Sequence, residues 1–321
     1  MSSDFNKADS EYSQNIIESV FDGVLTSPIL PYNSPLELVL QKHLDKNNCM
    51  LQGVQPKGYA YIKDGKIYIN DTDVISNYIL KLNSSEDRFS YRDQMVINEN
   101  LTMDIAEKIY GIITVAHTLC YTEQNEYAYL TKRFDCLNEG LLNKEDFMTL
   151  LNEKDKYNGS YEKIGKSILH YSTNASLDIQ QFFKVVLFNY LFWNCDAHLM
   201  NFSILSLPDG KNILSPAYDL LNTSLHVSST QFALREKLLE NDSEDTFYNE
   251  NGIATYLTFK EFASRLGIGK QDLNLIVDDF LDHEDDVQLM IQDSRLSLEC
   301  KKIYQESHNK IYEFFRTSIE Y

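Results

Sequence analysis

The stretch that most restricts how this chain can fold is Asn194-Cys195-Asp196-Ala197-His198-Leu199-Met200-Asn201, followed further on by Tyr218-Asp219. Phe202 to Leu205 and Asn212 to Leu214, joined through Pro208-Asp209-Gly210, read as a small hairpin that carries Asp219 just past its end. A carboxylate, an amide a turn later and a second carboxylate beyond a hairpin are what a phosphoryl-transfer site needs. The first carboxylate orients and deprotonates a hydroxyl, while the amide and the second carboxylate hold Mg²⁺ against a triphosphate.

The 321 residues are enough for two lobes, and 43% hydrophobic with 12% aromatic residues belongs to a globular chain. A formal charge of −19 argues against a nucleic-acid backbone as partner, because phosphate binding needs clustered Lys and Arg. Its plainer meaning is solubility. Cys49, Cys120, Cys136, Cys195 and Cys300 are odd in number and form no Cys-x-x-Cys, so neither a disulfide framework nor a zinc knuckle is indicated. The N-terminus lacks the basic and apolar regions of a secretory signal. Val185 to Trp193, the most apolar stretch, is interrupted by Asn189 and falls short of the roughly 20 residues of a membrane span. A reducing cytoplasm is the expected setting, with export as the alternative.

Along the chain, the first 35 or so residues are polar, exit through Pro28, Pro31 and Pro35, and read as an arm. Gly58 to Asn70 alternates around Asp64-Gly65, a hairpin signal suited to a type I′ turn. Tyr78 to Leu82 reads as another strand, Arg92 to Tyr110 as a helix ended by Gly111, and Ile112 to Tyr121 and Tyr127 to Phe134 as two further strands. After Asp135 the pattern turns helical, with Asp178 as N-cap of a helix through Leu187 and Leu191. The expected fold is α+β and bilobal, a β-rich N-lobe over 1–135 and an α-helical C-lobe over 136–321. A hinge lies near Leu130 to Asp135, and ATP is expected in the crevice between the lobes.

Further pieces suit that chemistry. Gly53-Val54-Gln55-Pro56-Lys57 precedes the hairpin, where a small residue lets backbone N–H groups approach phosphate oxygens and Lys57 adds charge. Lys81 sits in a strand among apolar neighbours, where an ammonium needs an anion such as the α- and β-phosphates. Glu99, on the following helix, is positioned to hold it. Main-chain groups around Lys132, Phe134 and Asp135, at the lobe junction, suit adenine.

In this order the segments Gly53 to Lys57, Ile79-Leu80-Lys81, Asn98-Glu99, Lys132 to Asp135, Leu187 to Phe202 and Leu214 to Leu221 resemble the HipA-like serine/threonine kinases, toxins of bacterial toxin–antitoxin systems. The chain is similar to the short members that lack the N-terminal subdomain. The resemblance implies a protein-kinase-like fold in which Asp196 is the catalytic base and His198 lies beside the transferring phosphate. Asn201 and Asp219 would bind Mg²⁺, and Lys81 would grip ATP. It also implies a protein substrate from translation, such as an aminoacyl-tRNA synthetase, and an antitoxin partner; charge and hydropathy give the further expectation of no direct nucleic-acid or membrane binding. Where family members carry autophosphorylated serines before the Gly, this chain has Asn48-Cys49-Met50, so autoinhibition through that loop is not expected.

Blander readings compete. Asp196 and Asn201 can be helix-end residues satisfying backbone donors. Asp196 with His198 can suggest a metal hydrolase, though no other cluster completes such a site. Lys81 can snorkel from a strand edge and Glu99 can be a solvated helix residue. Gly267-Ile268-Gly269-Lys270 resembles a phosphate loop but reads as a helix end and turn. Two functional alternatives stand beside the toxin kinase: an ATP-binding assembly partner in an antitoxin complex, and an effector kinase acting on a host protein.

Overall fold

The computed structural model of the chain describes residues 5–6, 11–33, 35–36, 55–69, 76–137, 140–228 and 231–319. The chain divides into two compact units, one formed by Met1–Leu101, Val115–Phe134 and Asp293–Cys300, the other by Thr102–Thr114, Asp135–Gln292 and Lys301–Tyr321.

In the first unit the opening segment is no detached arm. Helix α1 (Gln14–Phe21) is capped by Ser13 and buries Ile16, Ile17, Val20 and Phe21. Tyr12 donates its hydroxyl to the Leu119 carbonyl at 3.0 Å, and the Val20 carbonyl accepts from Tyr78 at 3.0 Å. The helix is a short apolar stripe in polar surroundings, so composition hides it while its spacing does not. Strands β1 (Lys57–Lys63) and β2 (Lys66–Ile69) meet at Asp64-Gly65, whose φ values of 49° and 68° are those of a type I′ turn. A Cβ on Gly65 would lie 2.8 Å from the Leu25 carbonyl oxygen, so a glycine is needed there.

Strand β3 (Tyr78–Lys81) is followed by helix α2 (Met95–Lys108), then by β4 (His117–Tyr121) and β5 (Tyr127–Lys132). The five strands run in the order β2-β1-β3-β5-β4, and every neighbouring pair is antiparallel. Helix α2 ends where Gly111 takes φ 58° and the Ile112 N–H reaches back to the Ala106 carbonyl at 2.9 Å. Strand β4 is shorter than the reading from Ile112 onward, because its paired register with β5 begins only at His117.

The second unit corrects the expectation that helices begin directly after Asp135. Cys136–Leu137 pairs with Gly140–Leu141, and β6 (Asn143–Asp146) joins a small antiparallel sheet with β7 (Ser203–Ser206) and β8 (Asn212–Leu214). Asn143 to Asp146 is entirely polar and has no alternation to read; pairing with β7 makes it a strand. Helices α3 (Tyr161–Tyr171) and α4 (Ala175–Leu191) follow. Asn174, not Asp178, holds the N-cap position of α4. The Asp178 carboxylate lies inside the first turn and accepts from the Ser172 hydroxyl at 2.6 Å and the Leu214 N–H at 2.7 Å, binding α4 to β8.

Helices α5 (Tyr256–Arg265), α6 (Lys270–Asp282), α7 (Glu284–Asp293) and α8 (Leu298–Thr317) complete the chain. Gly267, at φ 74°, ends α5 as the Ile268 N–H returns to the Ala263 carbonyl, and Gly269 begins α6. The Gly267 to Lys270 segment is thus a helix junction. Among the described residues no helix is long and apolar enough to cross a membrane.

The core of the second unit is aromatic. Tyr110 stacks on Phe280 with centroids 4.3 Å apart, Phe188 on Phe192 at 4.2 Å, and Phe192 on His308 at 4.4 Å. His308 Nδ1 lies 3.1 Å from the Leu191 carbonyl and Nε2 has no partner among the described residues, so the ring donates through Nδ1 and is neutral. Burial pushes its pKa from 6.5 down to about 4.

The unfolded chain therefore takes up a proton that the folded chain refuses. The stability held by neutral His308 is complete above the unfolded pKa and falls as pH drops towards the folded one, a loss of up to about 3 kcal/mol. Urea unfolding at a series of pH values should show His308→Gln with a shallower loss of stability below pH 6.5 than the native chain, by about 2 kcal/mol at the acid end.

Candidate active site

Helix α4 ends in an aromatic anchor, and its exit sets the site. Phe192 is fully buried, and Trp193 then takes φ 55°, a left-handed conformation that costs a bulky residue about 1–2 kcal/mol. Thr223 holds it there, its N–H and hydroxyl both donating to the Trp193 carbonyl at 3.0 and 2.8 Å. The same hydroxyl oxygen accepts from the Cys195 N–H at 3.1 Å. The chain is thereby turned out of the helix, and Asp196 follows on a half-exposed loop while Ala197 and His198 are buried.

Asn194 organises this loop. Its amide nitrogen donates to Asn189 Oδ1 at 2.9 Å and to the Asp219 carbonyl at 3.3 Å, and its oxygen accepts from the Asp196 N–H at 3.4 Å. One buried side chain touches both acidic segments. From β8 the chain passes through Ser215 to Tyr218, whose hydroxyl donates to the Met200 carbonyl at 2.7 Å, and Asp219 then takes φ 61°. Asn201 and Asp219 meet: Asn201 Nδ2 donates to Asp219 Oδ2 at 3.1 Å, and Asn201 Oδ1 accepts from the His198 N–H at 2.9 Å. That N–H fixes which end of the amide is oxygen.

The Asp219 carboxylate and the Asn201 amide oxygen are hard donors on adjacent side chains. Two such ligands with the rest left to water and phosphate match Mg²⁺ and suit softer metals poorly. His198 is buried, and burial pushes its pKa below the usual value; Asp196 and Asp219 oppose that and Lys156 reinforces it. The ring is neutral at pH 7, and its Nδ1 has no partner among the described residues. His198 offers this site hydrogen bonding and no charge.

The first unit carries the remaining residues singled out from the sequence. Lys81 Nζ lies 2.6 Å from Glu99 Oε1 with side chains 8% and 2% exposed, a buried ion pair and not a snorkelling lysine. The ammonium also sits 5.6 Å from the Tyr129 ring centre. Lys57 stands directly opposite Lys81 in the β1–β3 register, which gathers positive charge on one face. Gln55 precedes it, and the Pro56 carbonyl accepts from the Leu82 N–H at 2.8 Å. Gly53 and Val54, with Asn48 to Met50, lie outside the described residues.

At the end of β5, Lys132 pairs through Nζ with Asp22 at 2.6 Å, its N–H donates to the Ala116 carbonyl, and the Arg133 N–H donates to Asn77. Phe134 is half-buried, and in the second unit the Asp135 carbonyl accepts from the Leu142 N–H.

Two contributors are not among the site residues expected from the sequence. Tyr157 donates its hydroxyl to Asp196 Oδ1 at 2.8 Å, from far upstream. Asn189, which the sequence shows only as an interruption in an apolar run, anchors Asn194. Polar residues inside strongly apolar helices are the clue that could have marked it.

The HipA-like C-terminal domain profile matches residues 49–287. A Haemophilus influenzae protein named as a candidate kinase is 28% identical over 286 residues, 83% of this chain and 80% of that protein. The candidate kinase Y4dM of Sinorhizobium fredii is 31% identical over 198 residues, 57% of this chain and 47% of its own length. Among solved structures, the HipA toxin of Shewanella oneidensis, determined with HipB and operator DNA, aligns at a TM-score of 0.66 and 17% identity over 91% of this chain and 74% of its own. The Helicobacter pylori proinflammatory kinase CtkA aligns at 0.53 and 13% identity over 82% of this chain and 97% of its own. At these identities the likeness is one of fold, and it is the bilobal α+β kinase-like fold.

Asn194→Ala removes the tie between the two acidic segments and strands the Asn189 oxygen. Urea denaturation should show a loss of about 1–3 kcal/mol in unfolding free energy, and Asn194→Asp, which keeps the acceptor and loses both donors, should not restore it.

Proposed function

The chain belongs to the HipA-like C-terminal domain family, and we propose that it is an ATP- and Mg²⁺-dependent protein serine/threonine kinase whose base is Asp196. The observation that carries this reading is the meeting at 3.1 Å of Asn201, on the loop that presents Asp196, with Asp219 from the segment beyond β8. Structural Asx residues that merely cap backbone would have no reason to converge from two separate segments.

Asp196 is the group for the acceptor: its carboxylate orients a Ser or Thr hydroxyl and takes the proton as that oxygen bonds to the γ-phosphorus, while the bond from the γ-phosphorus to the bridging oxygen breaks and ADP leaves. Asn201 and Asp219 are the residues that would hold Mg²⁺, which when bound neutralises charge on the triphosphate. His198, neutral and buried, adds a hydrogen-bonding group beside the acidic residues without repelling a cation. In the first unit Lys81, held by Glu99, supplies a fixed positive charge for nucleotide phosphates, and Lys57 opposite it adds a second. The Gly53-Val54-Gln55 segment would bring backbone N–H groups to the same phosphates. Lys132, Phe134 and Asp135 would flank the adenine.

The family and the HipA structure solved with its antitoxin support a toxin kinase with an antitoxin partner. Its substrate would be a protein, with a component of translation such as an aminoacyl-tRNA synthetase as the first candidate to test.

Incubating the protein with Mg-ATP labelled on the γ-phosphate and a bacterial lysate should label discrete protein bands. Asp196→Asn and Asp219→Ala should each lower that labelling by at least about 100-fold. Labelling that survives in both variants would sink the assignment. Lys81→Met should raise the KM for ATP about 10- to 100-fold, the value of one lost charge-assisted hydrogen bond, as read from initial rates over an ATP series.

A further inference from the structure

The Asp196 carboxylate has two oxygens, and the structure treats them differently. Oδ1 accepts from the Tyr157 hydroxyl at 2.8 Å, whereas Oδ2 takes no hydrogen bond or ion pair among the described residues. A carboxylate on a half-exposed loop is otherwise loosely held, since its terminal torsion is broad and its two oxygens are equivalent. A general base must lie within hydrogen-bond reach of the proton it removes, and a displacement near 1 Å can cost about 100-fold in rate.

We propose that Tyr157 is the positioning residue for the base: its phenol clamps Oδ1 of Asp196 and turns Oδ2 towards the hydroxyl that receives the phosphoryl group. The proposal rests on the reading of Asp196 as the base.

Tyr157 is built to be a fixed donor. Its N–H donates to Asp155 Oδ1 at 3.0 Å, its carbonyl accepts from the Arg235 N–H at 2.9 Å, and Asp155 also pairs with the Arg235 guanidinium. The preceding carbonyl, that of Lys156, accepts from the Leu199 N–H at 3.0 Å, which straps this segment onto the Asp196 loop. The ring meets the His198 imidazole edge to face at 5.5 Å, and Lys156 Nζ covers it at 4.8 Å.

Four residues on, at the start of α3, Tyr161 donates to the Ala197 carbonyl at 2.8 Å, so two phenols close in sequence hold neighbouring residues of the loop. Tyr161 holds backbone, and Tyr157 holds the reacting side chain. A phenol suits this task because it fixes the carboxylate by a hydrogen bond without the full charge a Lys or Arg would bring beside a metal site.

Crystal structures of the native chain and of Tyr157→Phe, together with steady-state hydrolysis of Mg-ATP and the thermal midpoint of each, test this. In Tyr157→Phe the Asp196 carboxylate should leave its native orientation while the backbone of residues 194–201 stays in place. Turnover should fall about 10- to 100-fold with the KM for ATP within about twofold and the thermal midpoint close to native. A purely structural role would instead lower the thermal midpoint and leave turnover per folded molecule intact. An Asp196 carboxylate unmoved in Tyr157→Phe overturns the proposal, as does unchanged turnover. So does a native chain that, after Mg-ATP, carries one added phosphoryl group on Tyr157, which would make the phenol an acceptor. If the native chain neither hydrolyses Mg-ATP nor labels protein in the lysate, the kinase reading fails on its own account, and the orientation of Asp196 in the two crystal structures still decides the clamp.

Discussion

Asn194 sends one amide group in three directions: to Asn189 inside α4, to the backbone of Asp196, and to the carbonyl of Asp219. Each bond is ordinary, worth about 1 kcal/mol net, but the atoms it satisfies are buried or nearly so, and leaving them unpaired costs more than the bonds return. The arrangement is therefore close to all-or-none. Everything around it is consistent with that demand: Trp193 accepts a left-handed backbone, Thr223 spends both its donors on the Trp193 carbonyl, and Asp219 itself is left-handed. Conformational strain of this kind persists only where packing over-determines it. Here the packing is the aromatic stack of Phe188, Phe192 and His308 behind the loop.

The first unit solves a different problem. A buried ammonium is costly, and Lys81 is tolerated because Glu99 lies 2.6 Å away. The strand register sets Lys57 opposite it, so two lysines share one face of the sheet.

Much of the arrangement was legible before any coordinates. The Asp64-Gly65 turn, the run of strands around α2 and the helix break at Gly267 all rest on local rules of φ, alternation and periodicity. Three misreadings share one cause. The opening segment looked like an arm, Asn143 to Asp146 looked unlike a strand, and Asp178 looked like a cap. In each case the deciding partner lies far away in sequence: Leu119 and Tyr78 for the first, β7 for the second, Leu214 for the third. Tyr157 belongs with them, an unremarkable tyrosine until the loop at Asp196 is set beside it.

The sequence by itself determined the chemistry on offer: which carboxylates, amide and lysine exist, in what order, and on which kinds of element. Those follow from residue type and from short-range spacing, which the chain carries without reference to the rest of the fold. Only the tertiary structure decided which of them meet. The Asn201 to Asp219 contact, the Lys81 to Glu99 pair and the Tyr157 hydroxyl on Asp196 depend on closing loops of many residues. The entropy of such closures is met by burial of the whole core and is not encoded in any local pattern.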